Sequence, residues 1–289
     1  LVGMGIPAAG VLSIQALQVM EKFEPSSMSE AEWFAVTGQA LSLASRELRV
    51  LGTDTAAARA TSKDWATELA RQVAVPNTSR STIGGSLLPP LQDRGDLFGG
   101  HTTHLSTADE NGMFVSLTQT LGPTMGSKVV TPGLGFLYAS TLGGYLGRME
   151  AGERARSNIC PFMVLKDGEV ILVLGAAGGG MIPPAVVHAI TRVIDFGMSL
   201  PQALAEPRVA GARGGGYSAE TSPGIGWTLA ELEEMRGLGI EVAETARSGA
   251  FGRVHGIQFD PATRTWIGAA DPDWEGTARG PAMVRTRGR

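Results

Sequence analysis

The succession of helix and strand patterns along this chain predicts a layered α/β sandwich, a fold in which helices cover β-sheet. Residues 1–75 carry apolar side chains at helical spacing, and after Thr102 the pattern changes to short strands joined by tight turns. Strands and helices then alternate toward the C-terminal region. With 43% hydrophobic residues, a chain of 289 residues can build the core that such layers need.

Three helices are predicted before residue 76. Residues 11–20 are mostly apolar. Ser29 and Glu32 form a capping-box pattern ahead of apolar residues at helical spacing, and Gly52 is expected to end that helix. A short third helix is predicted to begin near Ser62.

Two β-hairpins are predicted after Thr102. Residues 103–108 and 113–121 flank an Asn-Gly pair, a strong hairpin pattern. A turn centred on that pair places Thr120 opposite Thr103, and a slip of one or two residues keeps Thr120 beside Thr102. Residues 162–165 and 170–174 flank an Asp-Gly turn, and their apolar runs indicate strands covered on both faces.

Further helices and strands complete the sandwich pattern. A helix is expected around Pro183-Pro184, because proline fits the first turn of a helix. Another should begin at Thr228, which has Glu231 three residues later. Short strands are predicted at 256–259 and 266–268.

Composition excludes several classes of partner. The net charge of −4 and the pI near 5.7 argue against nucleic acid or an anionic membrane as the main partner. The single cysteine, Cys160, excludes an internal disulfide. No apolar run reaches transmembrane length, and Leu1 does not open a signal peptide. The compartment is therefore left undetermined.

Thr102 is the main candidate for a catalytic residue. Residues 76–101 are rich in Pro, Ser and Gly and lack periodicity, which predicts a long functional or disordered loop. Such a loop ending at a threonine that heads a strand indicates a nucleophile made by self-cleavage between His101 and Thr102. A free N-terminal threonine carries its own general base, the α-amino group. An ordinary strand threonine is the alternative, and the predicted proximity of Thr120 favours the nucleophile.

The glycine run Gly178-Gly179-Gly180 lies between a predicted strand and a predicted helix. Its bare N–H groups could form an oxyanion hole. Its spacing fits neither the dinucleotide nor the P-loop pattern, so a phosphate site is rejected. Tight packing of strand against helix stays open as the alternative.

Other polar residues receive structural interpretations. The histidines do not form a metal-like cluster, so neither a metal nor another cofactor is expected, and His104 is interpreted as a strand side chain. Cys160 is expected to be a small buried residue. Charges at Asp195, Glu206 and Arg208 are assigned to helix surfaces and loops, and residues 271–273 to a turn.

Many segments together resemble the gamma-glutamyltransferases, which are N-terminal-nucleophile hydrolases. The matching segments are TTH at 102–104, VSLTQTL at 115–121, PGLG at 132–135, VLKDG at 164–168, VLG at 173–175, VIDFGMSL at 193–200, AEPR at 205–208, GRV at 252–254 and GAADP at 268–272. Residues 1–75 resemble the end of the large subunit, and 102–289 the small subunit. The resemblance implies an αββα sandwich from which the N-terminal part of the family fold is absent.

The resemblance also implies roles for individual residues. Thr102 would attack the carbonyl of His101 to cut the chain and would then act as the nucleophile. Thr120 would orient Thr102, and the N–H groups of Gly178 and Gly179 would hold the oxyanion. A γ-glutamyl amide would acylate Thr102, and water or an amine would accept the acyl group.

The substrate-binding positions depart from the family pattern. Thr141 stands where the family has a glutamine for the substrate α-amino group, and Gly144 stands where it has an aspartate. Ser157 and Asn158 align with a serine pair that contacts the α-carboxylate. These departures leave three functions open: a γ-glutamyl enzyme with a glutathione-type donor, an acylase for other side-chain amides of the β-lactam type, and an inactive homologue with a structural or binding role.

The expected partners follow from the same resemblance. They are a small amide substrate, an amine acceptor, and the missing N-terminal half or large subunit, with neither nucleic acid nor membrane. The two expected regions are 1–101, which includes the linker 76–101, and 102–289. Members of the family are often periplasmic or secreted.

Overall fold

A computed structural model describes residues 1–48, 54–74, 100–141, 151–152, 157–211, 216–221, 226–246, 251–272 and 274–280. The predicted helix end at Gly52, most of the predicted linker and the aligned position Gly144 lie outside these residues.

Helices and strands occur in the predicted succession. The helices are α1 (Gly10–Met20), α2 (Glu30–Leu48), α3 (Asp54–Ala60), α4 (Lys63–Ala70), α5 (Ile182–Ile194), α6 (Leu200–Ala205) and α7 (Leu229–Gly237), with short 3₁₀ turns at Pro25–Ser27 and Gly179–Met181. The strands are β1 (Val2–Gly3), β2 (Gly100–Ala108), β3 (Phe114–Pro123), β4 (Phe162–Lys166), β5 (Glu169–Ala177), β6 (Val209–Gly211), β7 (Tyr217–Glu220), β8 (Val242–Thr245), β9 (Arg253–Asp260) and β10 (Thr265–Ala270).

An antiparallel sheet with the strand order β1-β4-β5-β9-β10 forms the centre of the molecule. Alternate residues of its strand β5 point to opposite faces. Leu172, Leu174 and Ala176 belong to the main hydrophobic core, together with apolar residues of α1, α2, α5 and α6. The helices therefore cover this face of the sheet.

The hairpin β2–β3 packs against β5 and β9. His104 lies against Gly175, a residue that alternates with Leu174 and Ala176 and so faces away from the helices. At the hairpin tip, Phe114 packs against Trp266 of β10 with the ring centroids 5.0 Å apart. The described residues thus stack as helices, a sheet and a second, two-stranded sheet.

A smaller sheet with the order β6-β7-β8 lies beside this stack. It packs with α2 and α7 around a second core, where Phe34 meets Tyr217 and Trp227 edge to face. Helix α2 contributes residues to both cores and so joins them.

Local patterns in the sequence predicted most of these elements. The capping boxes at Ser29 and Thr228 are formed, and so is the Asp167-Gly168 turn, where both residues have positive φ. Helices α3 and α6 and strands β1 and β6 to β8 were not predicted. None of the helices in the described part of the chain is long and apolar enough to span a bilayer.

The predicted register of the β2–β3 hairpin was off by one residue. Thr120 pairs with Thr102 and not with Thr103. The Asp109 carboxylate accepts hydrogen bonds from the N–H groups of Asn111 and Met113, which stabilises a turn one residue longer than an Asn-Gly turn.

Candidate active site

The two candidate threonines lie side by side on the hairpin. Thr102 Oγ1 donates a hydrogen bond to Thr120 Oγ1 at 2.9 Å. Thr120 Oγ1 also accepts the N–H of Gly122 at 2.9 Å. Both threonines are partly buried, so the pair is oriented and still accessible. The hydroxyl of Thr120 is held by the backbone and in turn fixes that of Thr102.

The regular strand pairing is interrupted immediately before Thr102. Gly100 pairs with Pro123, whereas Thr102 pairs with Thr120, so the register shifts between these two positions. A β-bulge of this kind commonly re-aims a side chain or the backbone near an active site. The predicted cleavage site, the His101–Thr102 bond, lies at this irregularity.

Thr141 lies beside Gly122, two residues after Thr120. Its Cγ2 is 3.1 Å from where a Cβ on Gly122 would be, and the N–H of Ser140 donates to Leu121 O at 2.9 Å. The segment that carries Thr141 therefore runs along the end of β3. A neutral hydroxyl is present where the family resemblance implied a glutamine.

His104 is a buried strand side chain, two residues along β2 from Thr102 and therefore on the same face of the hairpin. Its Nδ1 is 2.8 Å from Thr118 Oγ1, and its Nε2 is 2.9 Å from Ser106 Oγ. Burial lowers the pKa of His104 to about 3, with a smaller contribution from the charge of His255. A neutral, fully hydrogen-bonded ring holds the hairpin in place and is not a general base.

The glycine run forms the turn from β5 into α5. Gly178 has φ +135° and ψ +24°, a conformation that L-side chains rarely adopt, and Gly179 has φ +57°. They start a 3₁₀ turn in which Met181 N–H donates to Gly178 O at 3.0 Å. The first N–H groups of a helix lack acceptors within it, so this turn presents donors of the kind that hold an oxyanion.

Asn158 lies beside this glycine turn. Its Nδ2 is 4.0 Å from where a Cβ on Gly180 would be. Ser157 N–H donates to Pro7 O at 3.0 Å, and its Oγ accepts Ile159 N–H at 3.2 Å. Asn158 and Gly180 line a cavity of about 30 Å³, which has room for about one or two water molecules.

Contacts between the hairpin and β5 indicate how the threonine pair lies relative to the glycine turn. Ser116 Oγ donates to Leu174 O at 3.0 Å, and His104, one step closer to Thr102 on the same face, lies against Gly175. From His104 the hairpin continues in this direction to Thr102, and from Gly175 strand β5 continues to the glycine turn at Gly178.

Two predictions for isolated residues have different outcomes. Cys160 is buried as expected: its Sγ is 3.2 Å from Ser13 Oγ, and burial raises the pKa of its thiol to about 12. Arg208 lies in the loop between α6 and β6, as expected, but it is buried and not at the surface. It forms an ion pair with Asp271, which lies in the predicted turn. The two residues are far apart in sequence, so no local pattern could have paired them.

In the part of the chain that the structure describes, no three His, Cys, Asp or Glu side chains gather as a metal site would require.

The fold has a close counterpart among solved structures. Cephalosporin acylase from Bacillus halodurans superposes with a TM-score of 0.73 over 95% of this chain and 51% of that chain, at 22% identity. The two proteins thus share the same layered fold, and the chain covers only part of it.

Sequence comparison then identifies the family. The chain is 28% identical over 300 residues to the acylase ACY 1 proenzyme of Pseudomonas sp. strain V22, covering 97% of this chain and 48% of that protein. It is 30% identical over 162 residues to the glutathione hydrolase proenzyme of Pseudomonas sp. strain A14, covering 50% of this chain and 27% of that protein. The gamma-glutamyltranspeptidase family model matches residues 1–280, and the chain belongs to that family.

Proposed function

We propose that this chain carries the nucleophile of a self-processing amidohydrolase or acyltransferase, and that the nucleophile is Thr102. The observation that carries the proposal is the 2.9 Å hydrogen bond between the hydroxyls of Thr102 and Thr120, next to a register shift in the strand. An ordinary pair of strand threonines needs neither the shift nor the backbone N–H that holds Thr120. The boundary between regions 1–101 and 102–289 is then the processing site.

Maturation proceeds by an acyl shift. Thr102 Oγ attacks the carbonyl carbon of His101, the C–N bond to Thr102 breaks, and an ester forms as the nitrogen takes up a proton. Water then hydrolyses the ester and leaves a carboxylate on His101. The free α-amino group of Thr102 becomes the general base for turnover.

Turnover repeats this chemistry on an external amide. Thr102 Oγ adds to the amide carbonyl, its α-amino group takes the hydroxyl proton, and the proton passes to the departing amine. The N–H groups of Gly178 and Gly179 stabilise the oxygen that becomes negative, and removing one such donor typically costs about 3–4 kcal/mol. Water or an amine then attacks the ester and frees Thr102.

The acyl donor is either a γ-glutamyl amide of the glutathione type or another side-chain amide of the β-lactam type. Family membership and the glutathione hydrolase relative favour the first. The neutral side chain at Thr141 and the acylase that matches 97% of this chain favour the second. Thr141, Ser157 and Asn158 would contact the acyl group. A γ-glutamyl donor carries a charged α-ammonium group, and without a carboxylate partner that group loses one of the strongest kinds of hydrogen bond.

The other half of the family fold is the proposed protein partner. The outer face of the β2–β3 hairpin exposes apolar side chains, with Leu105 at 40% and Leu117 at 43% exposure. The chain spans 48% of the acylase relative, so the additional residues of such relatives are available to cover this face. Whether they belong to the same gene product or to a separate subunit is decided by the size of the mature protein.

Intact mass and N-terminal sequencing of the complete gene product test the nucleophile. We expect two polypeptides, one of them beginning at Thr102, and an uncut, inactive chain for Thr102→Ala. The Thr102→Ser variant, which keeps a hydroxyl, should still be cut. Full activity in Thr102→Ala would refute the proposal, and a folded wild-type chain that is never cut would identify an inactive homologue.

Two chromogenic substrates then distinguish the donors. A γ-glutamyl anilide and a plain acyl anilide share the leaving group, so the ratio of their kcat/KM values reports acyl recognition alone. Preference for the γ-glutamyl compound assigns the first donor class, and preference for the plain acyl compound assigns the second.

A further inference from the structure

A buried ion pair lies behind the glycine turn. Arg208 Nη2 is 2.7 Å from Asp271 Oδ2, and the two side chains are 2% and 0% exposed. Arg208 follows α6, and Asp271 follows β10. Two buried charges are costly to desolvate, so an ion pair of this kind is weak evidence for stability alone. The hydrogen bonds that the two side chains make to the backbone indicate its role.

The pair holds the short segment that leads into β9. Arg208 Nη1 donates to Gly252 O at 3.0 Å, and Asp271 Oδ2 accepts the N–H of Val254 at 3.0 Å. Arg208 also donates to Leu204 O at 3.2 Å, which ties the segment to α6. The backbone on both sides of Arg253 is therefore fixed by one pair of side chains.

Gly252 in turn lies directly against the glycine turn. A Cβ on Gly178 would be 2.7 Å from Gly252 Cα, and a Cβ on Gly252 would be 2.9 Å from Met181 O. The pairing between β5 and β9 ends at Ala177 and Arg253, the neighbours of these two glycines. The backbone of Gly178 therefore cannot move toward β9 unless Gly252 moves as well.

We propose that Arg208 and Asp271 are positioning residues for the N–H groups of Gly178 and Gly179. The inference rests on the proposed function, in which those N–H groups hold the oxyanion. An oxyanion hole works because its donors are fixed before the charge develops, and a misplacement of about 1 Å can cost about 100-fold in rate. The ion pair provides that rigidity through Gly252 without touching the substrate.

Asp271→Asn tests the proposal, with Glu30→Gln as a control. Glu30, which is 40% exposed, forms an ion pair with buried Arg192 at 2.8 Å, and that pair connects α2 to α5. Both substitutions remove a carboxylate charge from a buried arginine. The complete gene product is used, and both variants are first checked for processing and for a native near-UV circular dichroism spectrum.

The readout is the division of the effect between kcat and KM. We expect Asp271→Asn to lower kcat by about 10- to 100-fold with KM within about twofold, while Glu30→Gln keeps kcat within about twofold. A boronic acid with the same acyl group, which forms a tetrahedral adduct with the nucleophile, should lose affinity for Asp271→Asn in parallel with kcat. If Asp271→Asn does not fold, Arg208→Lys is measured in the same way.

Each result decides a distinct question. Equal kcat values in Asp271→Asn and Glu30→Gln, or a loss confined to KM, would overturn the positioning role while a dead Thr102→Ala variant still upheld the nucleophile. A Thr102→Ala variant that kept its activity would overturn the proposed function together with this inference.

Discussion

At the scale of single residues, Thr120 determines how Thr102 is presented. Its hydroxyl oxygen accepts two hydrogen bonds, from Thr102 Oγ1 and from Gly122 N–H. The backbone donor is fixed by the strand, so it orients the hydroxyl of Thr120 and, through it, that of Thr102. Valine has nearly the same shape as threonine and lacks this oxygen.

We therefore expect Thr120→Val to fold and to be impaired in chemistry. Loss of the oxygen leaves a partly buried N–H and the nucleophile without their partner, which costs about 1–3 kcal/mol and corresponds to about 5- to 150-fold in rate. Processing should slow, and kcat should fall by a factor in that range, as measured by time-resolved intact mass and anilide hydrolysis. Thr107→Val, an exposed substitution on the neighbouring strand β2 of the same hairpin, is the control and should leave both rates unchanged. Equal rates in the two variants would contradict the role of Thr120.

At the scale of elements, the hairpin is attached to the central sheet by the ring of His104. The ring occupies the space over Gly175, where a Cβ would lie 2.4 Å from His104 Nδ1 and Cε1. Hydrogen bonds to Thr118 and Ser106 hold the ring within the hairpin. The glycine on one sheet and the histidine on the other thus define how closely the two sheets approach.

Gly175→Ala should push the hairpin away from the sheet. Overpacking of this kind typically costs about 1–3 kcal/mol, so the midpoint of urea unfolding should fall, and processing at Thr102 should slow. Gly237→Ala, at a glycine with no atom within 4 Å of an added Cβ, should do neither. Combining Gly175→Ala with His104→Ala removes the clash, so the double variant should lose less stability than the sum of the two single variants. Strict additivity would show that the contact does not set the spacing.

The elements that sequence predicted are those with strong local chemistry. The side chains of capping boxes and the residues of tight turns act within a few positions of one another, so α2, α7 and the β4–β5 hairpin followed from the sequence. Strands β6 to β8 are short and gain their order from packing against α2 and α7, which no local pattern records. The register of β2–β3 required the Asp109 side chain, whose contact with the turn backbone added one residue.

The candidate site also contains residues that local sequence patterns could place and residues that they could not. The Thr102–Thr120 contact and the glycine turn follow from neighbouring strands and a strand–helix junction, so sequence could place them. Arg208 and Asp271 meet only because α6 and β10 come together in the folded protein. Arginine and aspartate are usually exposed, so sequence alone does not predict that these two side chains are buried together.

At the scale of the whole molecule, one buried, neutral histidine connects the two cores. His188 of α5 lies near the junction of the cores, and its Nε2 accepts the N–H of Val209 in the small sheet at 3.0 Å. Burial, with smaller contributions from the charges of Arg192 and Arg208, lowers the pKa of His188 to about 3. Burial also lowers the pKa of His104 and that of His255, so these imidazoles resist protonation in the native fold.

This arrangement predicts a loss of stability in mild acid. An unfolded histidine has a pKa near 6.5, so between about pH 6.5 and pH 3 the unfolded state binds more protons than the native state. The stability is fully present above pH 6.5 and is lost as the pH falls through this window, by up to about 1.4 kcal/mol per pH unit for each histidine. Urea unfolding followed from pH 7.5 to pH 4 should show this slope in the free energy of unfolding.

The variant His188→Gln keeps a side-chain oxygen that can accept the N–H of Val209 and removes one of the histidines whose pKa is lowered by burial. We expect its free energy of unfolding to be lower than that of the wild type at pH 7.5 because the packing is changed. Its slope between pH 6.5 and pH 4 should be smaller than that of the wild type, and it should not vanish, since His104 and His255 remain. The slope is independent of the packing loss, so a parallel displaced curve would contradict a buried neutral His188. A flatter curve would support the view that burial of these imidazoles couples the stability of both cores to pH.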